Sequence, residues 1–61
     1  MNVEAVDCAR RFKAAKAAGD GTTTMQGIVE DYAAEMEADG RPVSVSATTR
    51  ILNDNPEQWK D

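Results

Sequence analysis

The apolar residues recur at intervals of three and four along much of the chain, which is the spacing of one buried side of an α-helix. The clearest of these stripes consists of Met25, Ile28, Val29, Tyr32 and Met36. A preceding stripe of smaller side chains consists of Ala5, Cys8, Ala9, Phe12 and Ala15. Apolar and polar residues nowhere alternate for long enough to predict a sheet. The pattern therefore predicts an all-α fold in which these stripes are the buried sides of the first two helices.

Residues that cap or interrupt helices predict where the first two helices begin and end. Asn2 is of a type that caps helix N-termini, and Gly19 with Gly21 interrupts the helix that begins there. Thr23 and Gln26 stand three residues apart, the spacing of a capping box in which each side chain accepts a hydrogen bond from the other residue's backbone N–H. A capping box at Thr23 therefore predicts the start of the second helix.

A third, shorter helix is predicted from its ends more than from its apolar content. Gly40 is suited to close the second helix in the left-handed conformation, and Pro42 prevents that helix from continuing. Ser44 can then cap a helix that runs to about Asn53. The residues expected to face inward from this helix are Ala47, Ile51 and Leu52.

The last residues predict one more helical turn. Asn55 followed by Pro56 has the form of a cap and a first helical residue, so a short turn from Pro56 to Lys60 is expected. Such a turn would bring Trp59 back onto the core, where a small domain needs its aromatic area. The predicted fold is therefore a compact three-helix domain with a short fourth helical turn at its C-terminal end.

Length and composition predict a single domain held together by packing alone. The chain has 61 residues, near the lower limit for a domain that folds unaided. Cys8 is the single cysteine and there is no histidine, so neither an internal disulfide nor the usual Cys–His zinc site is available. Cys8 also lacks a histidine to activate it as a nucleophile, and no glycine-rich phosphate-binding loop is present. We therefore expect a domain that is not an enzyme and that uses no cofactor or metal.

The charge of the chain is unevenly distributed. Eleven acidic and seven basic residues give a formal net charge of -4, which argues against broad attraction to nucleic acid or to anionic lipid. Residues 1–20 contain the basic residues Arg10, Arg11, Lys13 and Lys16. Residues 21–40 contain no basic residue and carry the acidic residues Glu30, Asp31, Glu35, Glu37 and Asp39. The chain is therefore polarised, with a mildly basic first helix and an acidic second helix.

The segment from Val43 to Glu57, VSVSATTRILNDNPE, resembles the turn and recognition helix of lactose-repressor-type transcription regulators. In that family a valine–serine pair ends the turn and caps the recognition helix, as Val43 and Ser44 would here. Small hydroxyl residues follow and reach the major groove, and then come an arginine, two aliphatic residues and an asparagine. The resemblance covers only this segment, and the region before it is longer than the family's spacing.

The resemblance implies a helix-turn-helix-like module that binds double-stranded DNA or regulates transcription. Short hydroxyl side chains let a helix enter the major groove closely and can bond base edges or phosphates, while an arginine suits guanine or phosphate. The predicted reading face consists of Ser44, Ser46, Thr48, Thr49 and Arg50. The predicted contacts to the DNA backbone are Arg10, Arg11 and Lys13.

The acidic second helix supports an alternative function. A small acidic protein can bind and modulate a basic protein partner, as phage and mobile-element inhibitors of host defence nucleases do, or can mimic nucleic-acid charge. The predicted protein-binding face is then the acidic set Glu30, Asp31, Glu35, Glu37 and Asp39. A homodimer is a third partnership, because so small a domain gains stability from a second copy. The sequence contains neither a charged-then-apolar leader nor an apolar run of membrane-spanning length, so a cytoplasmic location away from membranes is expected.

Overall fold

Three α-helices and a closing 3₁₀ turn make up the computed structural model, which describes residues 1–60. The helices are α1 (Val3–Ala17), α2 (Met25–Ala38) and α3 (Val45–Asp54), and the C-terminal 3₁₀ turn is Pro56–Gln58. Residues 1–60 contain no strand. The predicted all-α, three-helix fold with a short fourth turn is thereby confirmed.

Side-chain caps begin α1 and α3 where the sequence predicts them. The Asn2 side chain accepts a hydrogen bond from the backbone N–H of Ala5 at 2.9 Å. Ser44 Oγ accepts one from the backbone N–H of Ala47 at 3.2 Å. Each bond satisfies one of the N–H groups that a helix start leaves without a partner, so both predicted caps are confirmed.

The cap of α2 lies one residue later than the sequence predicts. Thr24, not Thr23, is the cap, and its Oγ1 accepts from the backbone N–H of Gly27 at 3.1 Å. The capping box predicted from Thr23 and Gln26 is therefore wrong. The Thr23 hydroxyl instead donates to Asp20 Oδ2.

Asp20 organises the loop between α1 and α2. Its Oδ1 accepts from the Thr22 backbone N–H at 3.0 Å and from the Thr22 hydroxyl at 2.7 Å, while its Oδ2 accepts from Thr23. These hydrogen bonds favour the carboxylate form and lower the pKa of Asp20 to about 2. The loop is consequently held by local polar contacts and leaves the helix sides to form the core.

Two glycines end the long helices as predicted. Gly19 follows α1 with φ +84° and Gly40 follows α2 with φ +77°, both in the left-handed region that glycine adopts without steric cost. After Gly40, the Arg41 N–H donates to the Met36 carbonyl at 2.8 Å, closing the end of α2. The chain can then turn sharply into α3.

The core forms where the three helices and the 3₁₀ turn meet. Its buried apolar members are Ala5, Cys8, Ala9, Phe12, Met25, Val29, Tyr32, Leu52 and Trp59. Both predicted stripes supply it, and Cys8 is a buried free thiol whose pKa burial raises. Cys8 is accordingly a packing residue.

Trp59 closes the core from the C-terminal side, as predicted. Its ring meets Phe12 edge to face, with centroids 5.2 Å apart and an interplanar angle of 87°. Its indole N–H donates to the carbonyl oxygen of Leu52 at 2.8 Å. Burying the ring therefore leaves no polar atom without a partner, and it ties the 3₁₀ turn to both α1 and α3.

The inward side of α3 differs from the prediction by a rotation of one residue. Leu52 is fully buried, and Thr48, one turn before it, is only 3% exposed. Ala47 is exposed and Ile51 is half-buried, so the inward position predicted for Ala47 is wrong. Thr48 was predicted on the DNA-reading face, and that prediction is also wrong because Leu52 fixes Thr48 on the buried side.

Candidate functional site

The outer side of α3 presents a stripe of polar side chains. Ser46, Thr49, Arg50 and Asn53 follow one another at the three- and four-residue spacing that puts them on one side of the helix. Ser46, Arg50 and Asn53 are exposed and Thr49 is half-buried. We call these four residues the α3 stripe. Three of the five predicted reading-face residues, Ser46, Thr49 and Arg50, thus belong to the stripe, whereas Thr48 lies inside and Ser44 serves as the cap.

The α3 stripe forms one wall of an open depression of about 780 Å³. Gln26, from the first turn of α2, lines the same depression together with Val45 and Asp54. The sequence analysis assigned no binding role to Gln26 or Asn53. The place of Asn53 on this side of α3 could have been predicted from the sequence, because it follows Ser46 by seven residues. The position of Gln26 could not, because it depends on how α2 packs on α3.

The polar groups of this depression are available for an external partner. Within residues 1–60, the side chains of Gln26, Thr49, Arg50 and Asn53 make no hydrogen bond or ion pair. Ser46 Oγ lies 3.4 Å from Ser44 Oγ, a long contact. Amide, guanidinium and hydroxyl groups are the ones that pair with base edges in the major groove. The depression therefore gathers hydrogen-bonding groups of this kind on one exposed surface.

Arg11, on α1, forms an ion pair with the acidic helix α2. Its guanidinium bonds both carboxylate oxygens of Glu35, at 2.6 and 3.1 Å, and lies 4.9 Å from the centre of the Tyr32 ring. The pairing raises the pKa of Arg11 and lowers that of Glu35 through their hydrogen bonds. The contact of Arg11 with a DNA backbone stays a prediction, and the structure shows the guanidinium paired with Glu35 within the fold.

A hydrogen bond between Tyr32 and Asp7 lies beside this ion pair. The Tyr32 hydroxyl donates to Asp7 Oδ2 at 2.9 Å, joining α2 to α1. Burial of the phenol, followed by this hydrogen bond, raises the pKa of Tyr32 to about 12. The sequence analysis treated Tyr32 only as a core residue and assigned nothing to Asp7.

The other basic residues of α1 are not gathered around Arg50. Lys13 lines a separate groove with Lys16 and Lys60, and no residue lines both this groove and the depression at the α3 stripe. Arg10 is exposed and lines neither. In the part of the chain that the structure describes, Arg50 is consequently the single basic residue that lines the depression.

The acidic face of α2 is exposed along its length. Its members are Glu30, Asp31, Glu35, Glu37 and Asp39. Of these, Glu35 is the one that forms an ion pair within residues 1–60. None of the five lines the depression beside the α3 stripe. The acidic face and the α3 stripe are therefore distinct surfaces.

Neither a metal centre nor a membrane-spanning helix is found in the described part of the chain. Residues 1–60 hold no group of three or more side chains placed to share a metal ion, and none of their helices has the length and apolar character to cross a bilayer. Comparison with protein-family models, with curated proteins and with solved structures finds no match to this chain.

Proposed function

We propose that this domain binds double-stranded DNA through the α3 stripe. The observation that carries the proposal is the depression that the α3 stripe lines together with Gln26. Within residues 1–60, the side chains of Gln26, Arg50 and Asn53 make no hydrogen bond or ion pair. Arginine reads guanine, and asparagine and glutamine read adenine, each by paired hydrogen bonds. Three side chains capable of such pairing on one exposed surface favour base reading over a passive solvated helix.

The start of α3 adds a contact for the DNA backbone. Ser44 satisfies one N–H at the helix N-terminus, and the remaining N–H groups with the positive end of the helix dipole favour a phosphate. The resemblance of the segment from Val43 to Glu57 to a recognition helix agrees with this arrangement. Under the proposal, Ser44 shapes and orients the helix, and Ser46 is the first side chain to meet the DNA.

The charge of the surface predicts binding that is weak and only mildly salt-dependent. Each phosphate that a protein neutralises makes the slope of the logarithm of affinity against the logarithm of salt concentration more negative by about 0.9. Among residues 1–60, Arg50 is the one cation that lines the depression, and Asp54, which also lines it, opposes phosphate. We therefore expect a slope of about -1 to -2, set by Arg50 and the α3 N-terminus.

An anisotropy titration at low salt tests the proposal, with labelled duplexes selected for binding from a pool of randomised central sequence. Arg50→Ala should weaken binding about tenfold, because it removes a paired contact to a base. Arg41→Ala is the matched control: Arg41 is exposed, carries the same charge and lies in the turn before α3, so its loss should change affinity less than about twofold.

Asn53→Ala and Gln26→Ala extend the test to side chains without charge. Both should weaken binding to the duplexes selected from the random pool more than binding to unselected duplexes, since base contacts specify sequence. Absence of duplex binding, or equal losses in Arg50→Ala and Arg41→Ala, would contradict a reading role for the α3 stripe.

A second candidate function, binding of a basic protein partner by the acidic face of α2, is favoured by where its charges lie. Glu37 and Asp39 stand at the C-terminal end of α2 without an ion pair in residues 1–60, and the last turn holds no basic residue. Negative charge at that end opposes the helix dipole and destabilises the helix. Charges that local helix energetics disfavour are expected where a positively charged partner compensates them.

Affinity purification with a charge-reversed variant tests this second function. Glu30→Lys, Glu37→Lys and Asp39→Lys together reverse the exposed face and leave Glu35, which anchors Arg11, unchanged. A basic protein retained by the wild type and lost from the variant supports the function. A partner that both proteins retain equally would contradict a role for the acidic face.

A further inference from the structure

An open groove of about 620 Å³ lies between the C-terminal half of α1 and Trp59. Its floor is formed by Phe12, Trp59 and Ala17, and its rim by Lys13, Lys16 and Lys60. We call it the lysine groove. Three of the seven basic residues of an acidic chain therefore converge on one small surface.

Within residues 1–60, no carboxylate is paired with the ammonium groups of the lysine groove. No acidic side chain among residues 1–60 lines the groove, and the ion pair of Arg11 with Glu35 involves none of its lysines. Gathering like charges is unfavourable unless an opposite charge is supplied. The groove is thus a positive surface on a protein of net charge -4.

Two of the three lysines are held in place by the aromatic floor. Lys16 Nζ lies 5.2 Å from the centre of the Phe12 ring, and Lys60 Nζ lies 5.1 Å from the Trp59 ring. Both distances are those of cation–π contacts. Side chains that are already restrained lose less conformational entropy when they bind an anion, so the groove is preorganised for one.

The exposure of the rings limits the kind of anion. Phe12 and Trp59 are each 9% exposed, and a lysine ammonium lies over each ring. Binding of single-stranded nucleic acid relies on open aromatic faces on which bases stack, and these faces are covered. The stems of the lysines and Ala17 instead offer an apolar strip beside the charges, which suits an aliphatic side chain flanked by carboxylates.

From this geometry we infer that the lysine groove docks an acidic peptide segment of a partner protein. The carboxylates of the segment lie on Lys13, Lys16 and Lys60, and an aliphatic side chain lies on the apolar strip of the lysine stems and Ala17. This surface is separate from the α3 stripe and needs no DNA. It also assigns Lys13 to peptide binding in place of the DNA backbone contact expected from the sequence.

Trp59 makes the inference directly measurable, because it is the single tryptophan of the chain and it forms part of the groove floor. The probe is the acetylated and amidated peptide ELEELE, which contains no fluorophore of its own. We expect it to change Trp59 fluorescence saturably at low salt. The uncharged peptide QLQQLQ, tripolyphosphate and a short single-stranded DNA serve as comparison ligands and should bind at least about tenfold more weakly.

A pair of charge-matched variants separates the groove from general electrostatics. Lys13→Gln, Lys16→Gln and Lys60→Gln together should weaken ELEELE binding about tenfold. The control variant combines Arg10→Gln, Arg41→Gln and Arg50→Gln, which remove the same amount of charge outside the groove. It should change peptide affinity less than about twofold. It also removes Arg50, the arginine of the proposed DNA-binding surface. All six residues are exposed, so circular dichroism should report a retained fold for both variants.

Four outcomes would overturn the inference: no saturable response to ELEELE, equal binding of QLQQLQ, tighter binding of the single-stranded DNA or tripolyphosphate, or equal losses in the two triple variants. Failure of duplex binding with retained peptide binding would refute the proposed function and leave the groove standing. The reverse result would refute the groove alone.

Discussion

The basic residues on the two sides of α1 differ in whether they are paired with a carboxylate within the fold. Toward α2, Arg11 is paired with Glu35 and lies over Tyr32, and Tyr32 is bonded to Asp7. Toward Trp59, Lys13 and Lys16 line a groove without an acidic residue among those described. Charges that meet a partner within the fold join its helices, whereas charges without one are available for a ligand. Function should therefore be sought on the unpaired side of α1 and on the α3 stripe, which is also unpaired.

The largest effect is expected from removing Trp59, which lines the groove on the unpaired side of α1. Trp59→Ala deletes the edge contact with Phe12 and the hydrogen bond to the Leu52 carbonyl, and leaves a cavity. Such deletions cost about 3–5 kcal/mol, comparable to the whole stability expected of a domain this small. Thermal unfolding followed by circular dichroism should show a largely unfolded protein. Trp59→Phe should retain a cooperative transition, and an unchanged Tm in Trp59→Ala would contradict the packing role.

Loss of the Tyr32 hydroxyl should have a moderate effect on the paired side. Tyr32→Phe removes one hydrogen bond to Asp7 and should lower the free energy of unfolding by about 1 kcal/mol. Chemical denaturation of the two proteins measures the difference. Asp7→Asn in the Tyr32→Phe background should then add little, because the contact between the two side chains is already lost.

The same tyrosine predicts a stability change at high pH. The pKa of Tyr32 is about 12 in the folded protein against 10.0 for an unperturbed phenol. Because the folded state holds its proton more tightly, this contribution is complete below pH 10 and is lost as pH rises from about 10 to 12. Tyr32 is the single tyrosine, so tyrosinate absorbance reports its titration directly. A native midpoint near 10 would contradict the contact, and Tyr32→Phe should lack this component of the alkaline destabilisation.

The smallest effect is expected from removing one positive charge from either side of α1. Arg11 and Glu35 side chains are 38% and 57% exposed, so solvent screens their attraction. Arg11→Gln, which also removes the contact over Tyr32, should lower Tm by about 2–4 °C, whereas Lys13→Gln should leave it within about 2 °C. Equal Tm losses in the two variants would remove the distinction between a paired and an unpaired side.

Local patterns predicted the helices well because the signals act over a few residues. The caps Asn2 and Ser44, the left-handed Gly40 and the return of Trp59 all follow from short-range rules. The cap of α2 was misplaced because three consecutive threonines offer equivalent hydroxyls. Thr23 bonds Asp20, so Thr24 is left to cap α2.

The side of α3 that faces inward was harder to predict because its sequence allows two rotations. Ile51 and Leu52 are adjacent aliphatic residues, and choosing Ile51 as the inward guide places Ala47 inside. The structure buries Leu52 fully, which brings Thr48 inside instead. A one-residue change turns a helix by about 100°, enough to move a hydroxyl from the surface to the core.

Most features of the site that the sequence did not predict are contacts between residues of different helices. The bond between Tyr32 and Asp7, the pairing of Arg11 with Glu35 and the position of Gln26 beside α3 join residues of different helices. No local spacing relates such residues, since their meeting depends on how the helices pack. The same holds for Lys60, which reaches the lysines of α1 only through the turn that places Trp59.

The most direct test of the central claim is to map duplex contacts by the amide chemical shifts of isotopically labelled protein. Titration with duplexes selected from a random pool should shift the amides of Gln26 and of residues 46–53, and leave those of the acidic face and of Lys13, Lys16 and Lys60 unchanged. Shifts confined to the lysine groove or to α2, with the α3 stripe unaffected, would contradict the assignment of DNA reading to α3.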